Sequence, residues 1–103
     1  MFATIRLYEM SEDWDDALQE RLDSEFIPSL EELSGFVAYY SLEAGPRVFA
    51  SVTVFEDRSG AEASNRIAAE LVQQKLADRF PTPPEVTAGP VRAFRVASER
   101  ATN

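Results

Sequence analysis

The stretch SVTVFEDRSGAEASN, residues 51 to 65, changes period part-way along its length. Up to Phe55 it is rich in β-branched residues and reads as a strand. Ser59 followed by Glu62 then forms an S-x-x-E capping box, which opens a helix. Ala63, Ile67 and Leu71, with the parallel row Ala68, Val72 and Leu76, give that helix a broad apolar side running to Phe80. PTPP at 81–84 stops it. A strand that passes directly into a helix organises the second half of the chain, and it places one amide, Asn65, early on the helix.

Working outward, RVFASVTVFE (47–56) is preceded by GFVAYYSLEA (35–44), and Gly45 with Pro46 supplies a turn between them. So short a connection makes the two strands an antiparallel hairpin. FATIRLYE (2–9) alternates Ala3, Ile5 and Leu7 against Phe2, Thr4, Arg6 and Tyr8, the period of a strand. From Ser11, a good N-cap, Trp14, Leu18, Leu22, Phe26, Leu30 and Leu33 recur mostly every fourth residue, as a helix requires. Pro28 predicts a kink or break near Phe26 and Ile27. Gly35 closes the helix where a left-handed residue is favoured. EVTAGPVRAFRV (85–96) reads as a last strand, interrupted at Gly89 and Pro90 and best placed at an edge, and ASERATN (97–103) as a frayed tail. The order β-α-β-β-α-β is the split-βαβ arrangement: an α+β, ferredoxin-like antiparallel sheet with two helices on one face, in a single domain over 1–103.

The composition narrows the chemistry. With 103 residues, 45% of them hydrophobic, the chain has enough apolar material for one core. A net charge of −8 argues against nucleic acid and anionic membranes as partners. The acids concentrate between Glu9 and Glu32, where Arg21 is the single basic residue, as on a solvated helix face. Without cysteine there is no thiolate chemistry and no sign of an oxidising compartment. Without histidine there is no imidazole base, no haem ligation through histidine and no ordinary zinc site. No metal or cofactor is expected. MFATIRLYEM lacks a signal-peptide pattern and no apolar run is long enough to span a bilayer, so a cytoplasmic location is the expectation.

An even hairpin register sets Val37, Tyr39 and Ser41 on one face with Val48, Ala50, Val52 and Val54. Phe36, Ala38, Tyr40 and Leu42 then share the other with Phe49, Ser51, Thr53 and Phe55; an odd loop would reshuffle the sets and leave aromatics on both. Two helices cover one side of a four-stranded sheet, so the face bearing Phe36, Tyr40, Phe49 and Phe55 is expected to need a second copy.

The sequences LEELSGFVAYY, FASVTVFEDRSGAEASNRIAAELV and EVTAGPV, in this order and spacing, resemble the dimeric α/β-barrel superfamily, and within it the antibiotic biosynthesis monooxygenase (ABM) domain. The resemblance implies a homodimer joined through its sheets, with a pocket in each subunit between sheet and helices. ABM-type oxygenases of aromatic polyketides carry an Asn and a Trp one turn apart on the second helix. Asn65 matches the first; Ala69 stands where the Trp would be.

Asn65 is the candidate catalytic residue, able to hold a substrate carbonyl or phenol and to stabilise enolate-like charge. Trp14, Arg92 and Tyr39 are candidate substrate-binding residues, through stacking, anion pairing and orientation of a phenol. For Trp14 the competing role is core packing, and for Tyr8, Tyr39 and Tyr40 it is core or interface. Arg6, set inside an apolar strand, offers the same anion pairing as Arg92; with acids in excess, a salt bridge is expected of both. Two functions are consistent with these residues: a cofactor-free monooxygenase acting on an aromatic or quinone-like molecule, or a non-catalytic dimeric module that binds a small ligand or supports an assembly. A cavity of about 300 Å³ or more under the second helix, with Asn65 facing it, favours the first; a space filled by Ile67, Leu71 and aromatics favours the second.

Overall fold

In the computed structural model, which describes residues 1–97, the elements follow in the order β1 (Phe2–Glu9), α1 (Asp16–Arg21), α2 (Ile27–Glu31), β2 (Phe36–Gly45), β3 (Val48–Phe55), α3 (Arg58–Leu71) and β4 (Glu85–Pro90). π-helical turns join α1 to α2 at Leu22–Phe26 and extend α3 at Val72–Leu76. The strands form one antiparallel sheet in the order β2-β3-β1-β4. This is the ferredoxin-like α+β arrangement, with the helices on one face. Apart from Ala97, the ASERATN tail lies outside the described residues.

Both helix starts differ from expectation. Asp15, not Ser11, caps α1 by accepting from the Leu18 N–H at 2.9 Å. Ser11 instead donates its hydroxyl to the Asp78 carbonyl at 2.7 Å, tying the β1–α1 loop to the end of the second helix. At α3 the cap is Asp57, which accepts from the Gly60 N–H at 3.1 Å and from the Ser59 hydroxyl at 2.8 Å, so the Ser59–Glu62 capping box is not used. Each cluster offers several capping side chains, and the one whose backbone is extended takes the role. Pro28 falls at the start of α2, where a missing N–H costs nothing, and the wider π-helical turn takes up the irregularity before it. Gly35 has φ +82°, the left-handed exit anticipated for it.

The hairpin corrects the face assignment. Pro46 and Arg47 form the turn, and Arg47 is left-handed at φ 57°. The register slips by one at two places, between Glu43 and Gly45 with Ala44 as the extra residue, and between Phe36 and Ala38 with Val37 as the extra residue. One unpaired residue moves every later side chain to the other face. Tyr39 therefore lies opposite Thr53, and Tyr40 opposite Val52. Phe49 (3% exposed) and Phe55 (fully buried) lie under the helices of their own chain, with Phe36 packed edge-on against Phe55 at 5.7 Å. Of the four aromatics expected on the open face, Tyr40 is the exposed one; the face is otherwise aliphatic, bearing the cross-strand rows Ile5–Val52–Tyr40 and Leu7–Ala50–Leu42, with Ile5, Leu7, Tyr40 and Leu42 exposed. β4 stops at Pro90, so the strand expected through 96 is only half as long.

The core lies between helices and sheet: Leu18, Leu22, Phe26, Leu30, Leu76 and Phe80 meet Tyr8, Phe49 and Phe55. α3 approaches so closely at Gly60 that a β-carbon there would sit 2.5 Å from the Phe55 ring. Between the apolar groups runs a polar band on the sheet itself, Thr4, Arg6, Ser51 and Thr53, all buried. No helix among the described residues is long and apolar enough to cross a membrane.

Candidate functional site

α3 packs mainly over β3 and β1 and leaves β4 largely uncovered. The gap is bordered by the segment that follows the α3 helical region, Phe80 to Pro84, and stays open to solvent, with Val86 exposed. A cavity of about 610 Å³ results, floored by Arg6 and Tyr8 of β1 and Val86 of β4, and walled on one side by Asn65, Ala68, Ala69 and Val72 of the helix. The opposite wall is Pro81, Thr82, Pro83 and Pro84, a run whose prolines carry no N–H. Ile67 and Leu71, on the other side of α3, are packed against the core. One helix thus fills the space on its inner flank and borders a cavity on the other.

The centre of polarity is Arg6. Period two turns it inward with Thr4 and Tyr8, leaving 3% of it exposed. Its Nη2 donates to the side-chain oxygen of Asn65 and, at 3.5 Å, to the Ser64 hydroxyl. Ser64 in turn donates to the Ala61 carbonyl at 2.7 Å, which fixes its orientation. Nη1 has no hydrogen-bond partner. Burial holds the guanidinium below its ordinary pKa, opposed by the nearby Tyr8 and Tyr39 phenols.

The expected salt bridge at Arg6 is absent. The ion pairs among the described residues belong to Arg47, Lys75 and Arg79, all with acids of the first helical region or the loop before it. Those acids lie outside the sheet–helix interior, so none can reach a group on the inner face of β1.

Of the four residues singled out in the sequence, Asn65 lines the cavity, and Trp14, Tyr39 and Arg92 do not. Trp14 is half-buried against Phe49, its ring 5.2 Å away at 46°. Tyr39 sits on the inner face of β2, edge-on to Phe26 at 5.5 Å, and burial pushes its phenol up to about 12. Arg92 is exposed beyond the end of β4. Ala69 borders the cavity one turn after Asn65, so its small side chain leaves open the volume a Trp would occupy. Arg6 carried a signal that could have raised its standing: an arginine in phase with Tyr8 and Thr4 on a strand whose other face is wholly aliphatic. Among the described residues no group of three or more acids, histidines or cysteines is arranged to hold a metal ion.

The architecture has close counterparts among solved structures. NE2512, a protein of unknown function from Nitrosomonas europaea, is 25% identical with a TM-score of 0.74, covering 95% of each chain. A putative antibiotic biosynthesis monooxygenase from the same organism is 21% identical with a TM-score of 0.71, over 90% of this chain and all of that one. The fold is ABM-like. A third counterpart, the monooxygenase from the gene ActVA-Orf6 of Streptomyces coelicolor, solved in complex with the ligand nanaomycin D, is 13% identical with a TM-score of 0.67, over 94% of this chain and 92% of that one. No family model matches the chain, and no curated protein matches it. The ABM-like likeness is therefore one of fold, and the chemistry has to be argued from the cavity.

Proposed function

We propose that the chain is a homodimeric, cofactor-free monooxygenase that takes a planar aromatic or quinone-like molecule into the cavity beside α3. The observation that carries this reading is a cavity of about 610 Å³ with Asn65 on its wall and alanine, valine, proline and phenylalanine around it. Such a space suits a flat apolar ring with a few polar substituents. The ActVA-Orf6 monooxygenase, solved with nanaomycin D, shares the fold and supports the ligand class.

In the reaction the chain's own groups hold the substrate and its developing charge, and molecular oxygen is the oxidant. A phenol activated towards oxygen loses the hydrogen of its hydroxyl and that of a ring carbon. One oxygen atom becomes the new ring carbonyl, the other leaves as water, and the product is a quinone. Asn65 and Arg6 stand where negative charge on the phenol oxygen would be stabilised.

Dimerisation would proceed through the aliphatic face of the sheet, where Ile5, Leu7, Tyr40 and Leu42 are exposed in the single chain. The decisive experiment supplies a dihydroxynaphthalene and follows oxygen uptake, quinone absorbance and incorporation of labelled oxygen. Turnover lost in Asn65→Ala supports the oxygenase. Binding without oxygen uptake supports the non-catalytic ligand-binding module.

A further inference from the structure

Among the described residues, Arg6 is the one charged side chain on the wall of this cavity. In a chain carrying 18 acidic residues, none within the described residues pairs with it. A guanidinium has five N–H donors, and here the recorded acceptors are two neutral oxygens, Asn65 Oδ1 and Ser64 Oγ, both met by Nη2. Nη1 is shut away from water with nothing to donate to. Holding a cation in a desolvated place without a counter-charge is costly, and a merely structural residue at this position would be better served by an apolar side chain.

We propose that the cavity takes its ligand in the ionised form, as a planar aromatic oxyanion of the hydroxyquinone or acidic-phenol class, with the negative oxygen set against the Arg6 guanidinium. This rests on the cavity being the ligand site. Asn65 then acts on Arg6 as well as on the ligand, since its side-chain oxygen holds Nη2 in place and leaves the rest of the fork for the anion. The apolar surround strengthens the attraction by excluding water, and it disfavours small hydrated anions such as phosphate.

The test compares 2-hydroxy-1,4-naphthoquinone, which is ionised at neutral pH, with its uncharged 2-methoxy analogue, by titration calorimetry on the full chain. The wild type is expected to bind the hydroxy compound at least about tenfold more tightly, the difference a charge-assisted hydrogen bond supplies. Arg6→Met should bring the two affinities within about twofold while the melting temperature holds or rises. Asn65→Asp, which sets a carboxylate against the guanidinium, should remove the preference with Arg6 still in place. Equal binding of both compounds by the wild type overturns the anion assignment and leaves the cavity as a neutral ring site. Binding of neither overturns the cavity reading, and this inference with it. A preference that survives in Asn65→Asp overturns the role of Arg6 even where Arg6→Met fails to fold.

Discussion

The guanidinium of Arg6 and the side-chain oxygen of Asn65, 59 residues apart in the chain, meet in a hydrogen bond across the sheet–helix interior. Replacing Asn65 by Ala leaves a buried cation with the Ser64 hydroxyl alone, at 3.5 Å. Removing an acceptor from a buried charged donor costs about 1–3 kcal/mol. Asn65→Ala should therefore unfold at lower denaturant concentration with an unchanged slope, as followed by tryptophan fluorescence from Trp14.

Gly60 is set by proximity. A methyl group there would meet the Phe55 ring at 2.5 Å, and Phe55 is fully buried with no room to retreat. Overpacking of this kind costs about 1–3 kcal/mol, more than the helix propensity of alanine returns. Gly60→Ala should lower the melting temperature, and Gly60→Ala combined with Phe55→Leu should recover part of the loss.

Alkaline stability should depend on Tyr39. Its phenol is raised to about 12 by burial, so the fold favours the neutral form. That contribution is complete below the unfolded value near 10 and is lost as pH rises from there towards 12. Tyr39→Phe should flatten the fall in stability between pH 10 and 12 while changing little at pH 7, measured by urea titration at each pH.

At the acid end the helix caps act in the opposite sense. Asp15 and Asp57 are held below their ordinary value, first by the backbone N–H groups of Leu18 and Gly60 respectively. Their stabilisation is present above the unfolded value near 4 and is lost as pH falls below it. The double variant Asp15→Asn with Asp57→Asn should show a shallower acid limb in its stability profile than the wild type.

The open sheet face gives a test of assembly. Ile5 is 45% exposed in the single chain, opposite Val52 on the aliphatic side. Ile5→Glu should leave the monomer's fold intact, since an exposed position away from caps and core changes stability by about 0.5 kcal/mol or less. Sedimentation at micromolar concentration should show the wild type as a dimer and the variant as a monomer.

The order of elements was legible because each change of period falls at a recognisable break: Ser11, Gly35, the Gly45–Pro46 turn, Ser59 and the PTPP run. The faces were not, because the bulged residues Ala44 and Val37 decide them. Nothing in an alanine distinguishes a paired strand residue from a bulged one; the twist of the finished sheet makes the choice. The candidate site divides in the same way. Asn65 was found through its place on the helix, and the family resemblance pointed to the same position. Arg6 was given to a salt bridge, because the sequence counts acids without showing that none of the described ones pairs with it. Trp14 and Tyr39 carry the right chemistry for a ligand, yet period and register place them against Phe49 and Phe26 instead.

The Pro81-Thr82-Pro83-Pro84 wall has a consequence for how a guest can lie. Three of these four residues lack an amide hydrogen, and their rings fix the backbone in advance. On that side of the chamber Thr82 alone carries donors for an oxygen, and the proline rings beside it do not yield to make room for one. A flat molecule entering the wrong way round would strand its polar end against stiff hydrocarbon. Orientation is thereby enforced by what one rim withholds as much as by what the floor supplies.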